Sequence, residues 1–150
     1  MKMDLTKEEF RGLLDMVFLG DWVLSAYETI EETNPEKEKY KAIVQKIYSF
    51  AKGFGFEDLI EHTPDLNLYH ETPEFEESEV QDYIAEYEEN TFWEKLISSL
   101  AGRDALKDIS PEKIKKLSDD ERFTLMLKYE EKWAEEFDNH GLDRLDIRKK

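Results

Sequence analysis

The sequence predicts an all-α protein, a compact bundle or orthogonal array of about six helices with a short extended C-terminal tail. Helix-capping pairs of the Thr/Ser-x-x-Glu type recur along the chain, at Thr6, Thr91 and Ser118. Between them, apolar residues repeat at the three- and four-residue intervals of an amphipathic helix. Nine Phe, seven Tyr and three Trp supply apolar area for an ordered core. The 150 residues contain no repeat or low-complexity linker, so we expect one helical domain spanning residues 1–150.

The first two helices are predicted from their start signals. Helix one begins at the Thr6 capping box and is expected to run through Gly20 toward residue 30. Helix two starts at Asn34 and Pro35, because Asn is a favoured N-cap and Pro is favoured at the first helical position. The apolar stripe predicted for this second helix comprises Tyr40, Ile43, Val44, Ile47, Ala51 and Phe54.

Residues 56–72 are the least regular stretch of the sequence. A short helix is predicted over residues 56–60 and a turn over residues 62–65. The next helix starts at Thr72, followed by a proline at the first helical position. The apolar face of this helix comprises Val80, Tyr83, Ile84 and Tyr87.

The phase of the apolar residues then changes, and this change predicts a new helix or a sharp bend near Asn90. Thr91 would cap the new helix and Gly102 would close it. A short helix is predicted to open at Ser110, which precedes a proline, and to run through Leu117.

The last long helix starts at the Ser118 capping box and stops at Gly141. The side chains expected to point inward from it are Phe123, Met126, Leu127, Trp133, Ala134 and Phe137. Beyond Gly141, Leu142, Leu145 and Ile147 alternate with polar residues. This alternation predicts an extended tail, the one stretch of the sequence that suggests a strand.

The negative charge of the chain is concentrated in one segment. The net charge is −16, from 37 Asp and Glu against 21 Lys and Arg. Residues 53–94 contain fourteen of the acids and no Lys or Arg. The remaining 23 acids nearly balance the 21 basic residues, so almost all the excess lies within residues 53–94.

This acidic segment has three interpretations. It could dock a basic partner protein, it could imitate the phosphates of DNA as an inhibitor of a nucleic-acid-binding protein, or it could be a solvated helix face that is partly balanced by lysines of the preceding helix. We favour docking by a non-enzymatic accessory or interaction protein among the functional readings. The candidate partner-binding residues are Glu74, Glu76, Glu77, Glu79, Asp82, Glu86 and Glu89.

A small metal-dependent enzyme that uses carboxylates and histidine is the alternative. His62 and His70 lie among acids and are weak candidates for metal ligands, but their spacing matches no known metal motif. Phosphate-binding loops and nucleophile elbows are missing from the sequence, which contains no cysteine, so we expect no cofactor.

Two acids interrupt predicted apolar faces. Asp21 falls on the apolar face of helix one if that helix passes through Gly20, and otherwise it caps the next helix. Glu130 falls among the apolar residues of the last helix, at the edge of the core or paired with Arg103 or Arg122. We expect structural roles for both acids, since no histidine accompanies either as an acid–base partner.

Composition also limits the partners and the location. A net charge of −16 repels nucleic acid and anionic membranes, so we expect neither direct nucleic-acid binding nor membrane binding. The first residues lack the apolar core of a signal peptide, which favours a cytoplasmic location. A symmetric homodimer through Leu142, Leu145 and Ile147 is a further hypothesis.

Overall fold

The computed structural model describes residues 4–26 and 35–146, and this part of the chain is mostly helical (73%). It contains six α-helices and one two-stranded antiparallel sheet, so the prediction of a purely all-α fold is wrong. The helices are α1 Lys7–Ser25, α2 Glu38–Tyr48, α3 Pro73–Glu76, α4 Val80–Asp108, α5 Pro111–Lys116 and α6 Asp119–His140. The strands are β1 Ile60–Thr63 and β2 Leu68–Glu71, and short 3₁₀ turns cover Pro35–Lys37 and Ala51–Phe54.

The chain divides into two compact units, Met1–Glu86 and Tyr87–Lys150, with the division inside α4. The core of the first unit is formed by α1, α2, the hairpin and α3. Its buried side chains are Phe10, Leu14, Val44, Tyr48, Ala51, Phe56, Leu59, Ile60, Phe75 and Val80. Phe10 stacks on Phe54 with 4.0 Å between ring centroids, and Phe18 meets Phe75 edge to face at 5.2 Å.

Helix α1 has the predicted start and the predicted continuation. The Thr6 hydroxyl accepts the Glu9 backbone N–H at 3.2 Å, and the Glu9 carboxylate accepts the Thr6 N–H at 2.8 Å. The helix continues through Gly20 to Ser25, as predicted, whereas the expected extension toward residue 30 and the Asn34 N-cap lie outside the described residues.

Helix α2 buries a narrower face than the predicted stripe. Val44 and Tyr48, one turn apart, are buried, whereas Tyr40 and Ile43 are exposed. Tyr40 lies one turn before Val44 on the same face, so packing covers only the last turns of α2. The helix ends at Tyr48, and the following 3₁₀ turn closes at Gly55 with a left-handed φ of +76°.

The hairpin replaces the short helix predicted over residues 56–60, which forms turns and then the first residue of β1. Its register pairs Glu61 with His70 and His62 with Tyr69, around a turn that includes Asn67 at a φ of +50°. A side chain of α2 completes the outer edge of β2. The Gln45 amide donates to the Tyr69 carbonyl at 2.8 Å and accepts the Tyr69 N–H at 2.7 Å.

Helix α4 is continuous, so the predicted break near Asn90 and the predicted stop at Gly102 are wrong. The first residue of α4, Val80, joins the core of the first unit, whereas Ala101 and Ala105 are buried further along. The change of apolar phase therefore marks a change of packing partners along one helix.

The second unit pairs the later part of α4 with α6, which begins at the predicted Ser118 capping box. Trp93 packs on Phe137 with ring centroids 5.4 Å apart. Phe137 is buried and Met126, Trp133 and Ala134 are half-buried, but Phe123 and Leu127 are exposed, contrary to prediction.

The chain after α6 turns rather than extends. Gly141 ends the helix with a φ of +53°, and the next residues form backbone hydrogen bonds from Asp143 N to His140 O (3.1 Å) and from Leu145 N to Leu142 O (2.9 Å). The extended tail is therefore wrong for Leu142 and Leu145, while Ile147 lies outside the described residues. Among the described residues, no helix is long and apolar enough to cross a membrane.

Candidate acidic interaction surface

The acidic segment, residues 53–94, runs from the second 3₁₀ turn through the hairpin and α3 into the first half of α4. All seven candidate partner-binding carboxylates belong to exposed residues. Glu74 and Glu76 lie in α3, Glu77 is its C-cap, Glu79 directly precedes α4, and Asp82, Glu86 and Glu89 lie in α4.

None of these seven carboxylates takes part in an ion pair or a side-chain hydrogen bond within residues 4–26 and 35–146. The lysines of the preceding helix do not neutralise them. Lys41 pairs with Glu38 at 3.3 Å, Lys37 donates to the Leu24 carbonyl, and Lys39 lies 4.9 Å from the Tyr40 ring. These seven exposed carboxylates therefore have no direct ion pair with a cation of the described part of the chain.

Two of the carboxylates in the first unit lie on one face of α4. Asp82 and Glu86 are four residues apart, which is about one helical turn. At a rise of 1.5 Å per residue, the two charges lie roughly 6 Å apart along the helix axis. Each strand of duplex DNA carries one charge per roughly 3.4 Å of axis, so these two carboxylates are spaced more widely than the phosphates of a strand.

A cluster of side chains joins α1 to Ser78, the residue that precedes Glu79. Arg11 forms an ion pair with Asp15, donates to the Ser78 hydroxyl at 3.2 Å, and lies 4.8 Å from the ring of Phe75. Burial raises the pKa of the Asp15 carboxyl, Arg11 opposes this rise, and the negative charge of Glu79 adds to it. The negative charge of Glu79 thus influences the pKa of a carboxyl group in α1.

Helix α3 is held by the predicted cap at Thr72. The Thr72 hydroxyl donates to the Asp58 carbonyl at 2.6 Å and accepts the Phe75 N–H at 3.4 Å. The same residue continues the hairpin ladder through its N–H, which donates to the Leu59 carbonyl at 2.9 Å. Glu74, Glu76 and Glu77 are thereby attached to the sheet as well as to their own helix.

The structure does not bring the two candidate metal-binding histidines together. His62 and His70 lie on opposite faces of the hairpin, because the cross-strand partner of His70 is Glu61, the neighbour of His62. The His70 ring contacts the Glu61 carboxylate at 2.7 Å, and the His62 ring lies 4.4 Å from that of Tyr69. No group of three or more His, Asp or Glu side chains suited to a metal occurs in the described chain.

The two acids on apolar faces are half-buried. Asp21 lies inside the continuous α1, so the alternative of a cap at a helix break is wrong. The two arginines considered as partners of Glu130 are engaged elsewhere, Arg103 with Asp104 and Arg122 with Asp119.

Two polar arrangements were not predicted from the sequence. The buried Tyr48 hydroxyl donates to the Glu71 carboxylate at 2.5 Å, and the Gln45 amide pairs with the Tyr69 backbone. Burial raises the pKa of Tyr48 far above that of a free phenol, and the adjacent Glu71 carboxylate raises it further. Both contacts join α2 to β2 through residues that are more than twenty positions apart in the sequence. No local sequence motif predicts them.

The function of the chain must be inferred from this geometry. The seven candidate carboxylates are exposed, and His62 and His70 have hydrogen-bond partners within the hairpin. Comparison with protein-family models, with curated proteins and with solved structures gives no match to this chain.

Proposed function

We propose that this chain is an interaction protein that docks a basic partner protein through its acidic segment. The observation that carries the proposal is the exposure of seven carboxylates that have no ion-pairing partner in the described residues. Carboxylates that repel one another on a surface are stabilised when a cationic partner approaches. Because they are already exposed, those at the rim of a contact need little desolvation.

The uniform sign of the charge supports docking over a merely solvating role. Surfaces that only maintain solubility commonly mix basic and acidic residues. The acidic segment has no Lys or Arg over 42 residues, whereas the rest of the chain is nearly neutral. A single-sign field of this kind steers an oppositely charged partner and accelerates its association.

The spacing of the charges supports a protein partner over DNA mimicry. Asp82 and Glu86 lie roughly 6 Å apart along the axis of α4, which is wider than the roughly 3.4 Å between charges on one DNA strand. Lysine and arginine side chains of a protein are flexible and can adapt to this spacing. A partner with basic residues on a helix or loop therefore suits this spacing better than a rigid DNA-binding groove.

The test is quantitative affinity capture from the native host with a charge-neutral variant. The variant carries Glu76→Gln, Glu77→Gln, Glu79→Gln, Asp82→Asn, Glu86→Gln and Glu89→Gln, changes that keep side-chain shape. We expect the partner recovered with the wild-type chain to be lost with this variant. Binding of that partner by the purified wild-type chain should weaken as salt increases.

A matched control removes the same number of charges elsewhere. It carries Glu112→Gln, Asp120→Asn, Glu131→Gln, Glu135→Gln, Asp138→Asn and Asp143→Asn, all at exposed positions of the second unit. Partner recovery should persist with the control. Equal loss with both variants would indicate a response to total charge, and equal recovery with all three proteins would contradict the proposal. Competition of the partner with duplex DNA would instead favour the mimic.

A further inference from the structure

The second unit has a basic groove near the end of α6, outside the acidic segment. Arg103, Lys107, Arg144, Leu145 and Asp146 line this groove, which has a volume of about 490 Å³. An apolar cleft of about 190 Å³ adjoins it and shares Arg144 and Leu145 with it. The other residues that line the apolar cleft are Lys132, Trp133, Glu136, Phe137 and Gly141.

Arg103 is oriented by its neighbours but keeps donors available. Its Nε donates to Asp104 Oδ1 at 2.8 Å, and its guanidinium carbon lies 5.5 Å from the Trp133 ring centroid. The same carboxylate accepts Lys107 Nζ at 3.0 Å and Trp133 Nε1 at 3.1 Å. The two terminal nitrogens of Arg103 have no acceptor among the described residues, and the side chain is 48% exposed.

Arg144, which also lines the basic groove, is arranged in a similar way. Its Nη1 donates to both oxygens of Glu136, at 3.3 Å each, and its side chain is 61% exposed. Its Nε and Nη2 have no acceptor within the described chain. Each arginine is thus held by one carboxylate and can still donate to a second one.

We propose that the basic groove and the apolar cleft together bind a small organic carboxylate with an attached apolar group. The carboxylate would accept hydrogen bonds from Arg103 and Arg144, because the planar guanidinium matches the two oxygens of a carboxylate. The apolar group would lie against Trp133, Phe137 and Leu145 in the cleft. A cavity of roughly 150 Å³ accommodates benzene, so the cleft suits a phenyl or branched alkyl group.

The local charge balance favours an anion. Four cations surround the two cavities, and three acids accompany them, of which two already accept hydrogen bonds from the arginines. The cations are Arg103, Lys107, Lys132 and Arg144, and the acids are Asp104, Glu136 and Asp146. An anion in the basic groove therefore meets a local excess of positive charge in a chain of net charge −16.

The test is an NMR titration with 3-phenylpropionate as the probe. The indole N–H resonance of Trp133, assigned with Trp133→Phe, reports on the apolar cleft that Trp133 lines and on the Asp104 carboxylate that accepts this N–H. We expect a saturable shift with 3-phenylpropionate and at least about tenfold weaker binding of 3-phenylpropanamide, which lacks the charge, and of acetate, which lacks the apolar group. Comparable binding of the amide or of acetate would overturn the proposal.

Variants locate the site. Arg103→Gln and Arg144→Gln should each weaken 3-phenylpropionate binding about tenfold, and Leu145→Ala should weaken it while leaving acetate unaffected. Lys128→Gln, an exposed position of α6 outside both cavities, should bind like the wild type. Amide spectra that retain their dispersion would show that each variant is folded. If Arg144→Gln unfolds, Arg144→Lys, which keeps the positive charge, takes its place.

Two results would contradict the assignment. Unchanged affinity in folded Arg103→Gln and Arg144→Gln proteins would exclude the arginines as the anion site. Binding of inorganic phosphate as tight as that of 3-phenylpropionate would show a simple anion site that does not use the apolar cleft. Both results are independent of the acidic segment, whose proposed function is tested by partner capture.

Discussion

Gln45 of α2 and Tyr69 of β2 are joined by two hydrogen bonds, in which a side-chain amide takes the place of a neighbouring strand. The Gln45 side chain donates to the Tyr69 carbonyl at 2.8 Å and accepts the Tyr69 N–H at 2.7 Å. The hairpin thus depends on a residue twenty-four positions earlier in the sequence.

We expect Gln45→Ala to lower the free energy of unfolding by about 1–3 kcal/mol, because it leaves the N–H and C=O of Tyr69 without a partner in a partly buried site. Gln45→Glu should be at least as destabilising, since its second oxygen would face the Tyr69 carbonyl. Urea denaturation followed by circular dichroism measures both. Gln81→Ala, at a half-buried position of α4, is the control and should change stability by less than about 0.5 kcal/mol.

The Tyr48 phenol should make stability sensitive to alkali. Its pKa is raised by burial and by Glu71, so the folded protein keeps the proton when the phenol of the unfolded chain, with a pKa of about 10, loses it. The corresponding stability is complete below that pH and falls as the pH rises above it. Melting temperatures from pH 8 to 11.5 should fall less steeply in Tyr48→Phe. Equal slopes would show that another group causes the effect. The half-buried Tyr129, whose pKa is also raised by Asp108, is the first to examine.

The field of Glu79 should be measurable at Asp15. Glu79→Gln removes one cause of the raised pKa of Asp15, so the titration of the Asp15 carboxyl should move to lower pH. Arg11→Gln removes the opposing charge and should move it to higher pH. NMR titration of the side-chain carbon records both shifts. An unchanged midpoint in both variants would mean that burial alone sets this pKa.

The three capping pairs should differ in their response to alanine. Thr6→Ala and Ser118→Ala should each cost about 1 kcal/mol, because both residues cap helices in the structure. Thr91→Ala should be neutral or slightly stabilising, since Thr91 lies inside α4, where alanine favours the helix. Urea denaturation distinguishes the two cases, and a loss at Thr91 equal to that at Ser118 would contradict a continuous α4.

Asp104 should contribute to stability above acidic pH. Hydrogen bonds from Arg103, and then from Lys107, hold the pKa of its carboxyl well below the usual range. The stabilisation is therefore present above a pH of about 4 and is lost as the pH falls further. Asp104→Asn should lower the melting temperature at pH 7 and reduce the difference between pH 7 and pH 3. A Glu112→Gln control, at an exposed residue, should leave both values unchanged.

Local signals predicted the helix starts, and long-range contacts determined the rest. Each of the N-cap residues Thr6, Thr72, Ser110 and Ser118 begins a helix as predicted. The helix at Thr72 ends at Glu76, however, so the predicted continuous helix toward Tyr87 is wrong. Tyr83 and Tyr87 of its predicted apolar face are exposed. The hairpin was missed because its strands have four residues each and rely on Gln45. Thr91 has the same local pattern as Ser118, yet packing keeps α4 helical there.

The same distinction between local signals and long-range contacts applies to the candidate sites. Charge can be counted along the sequence, so the acidic segment could be located without the structure. The exposure of its glutamates could also be expected, because charged side chains of a helix face solvent. The basic groove could not be located, because Arg103 and Arg144 are 41 positions apart in the sequence and each is paired with an acid on its own element or nearby.

The amide of Gln45 has a further consequence for the behaviour of the protein at high concentration. A strand whose outer N–H and C=O groups point to solvent is a template for the addition of a strand from another molecule, and this addition is how many proteins begin to aggregate. At Tyr69 those groups are already occupied by a side chain that cannot propagate a ladder. At Tyr69, in its second strand, the short sheet is therefore protected from pairing with a strand of another molecule.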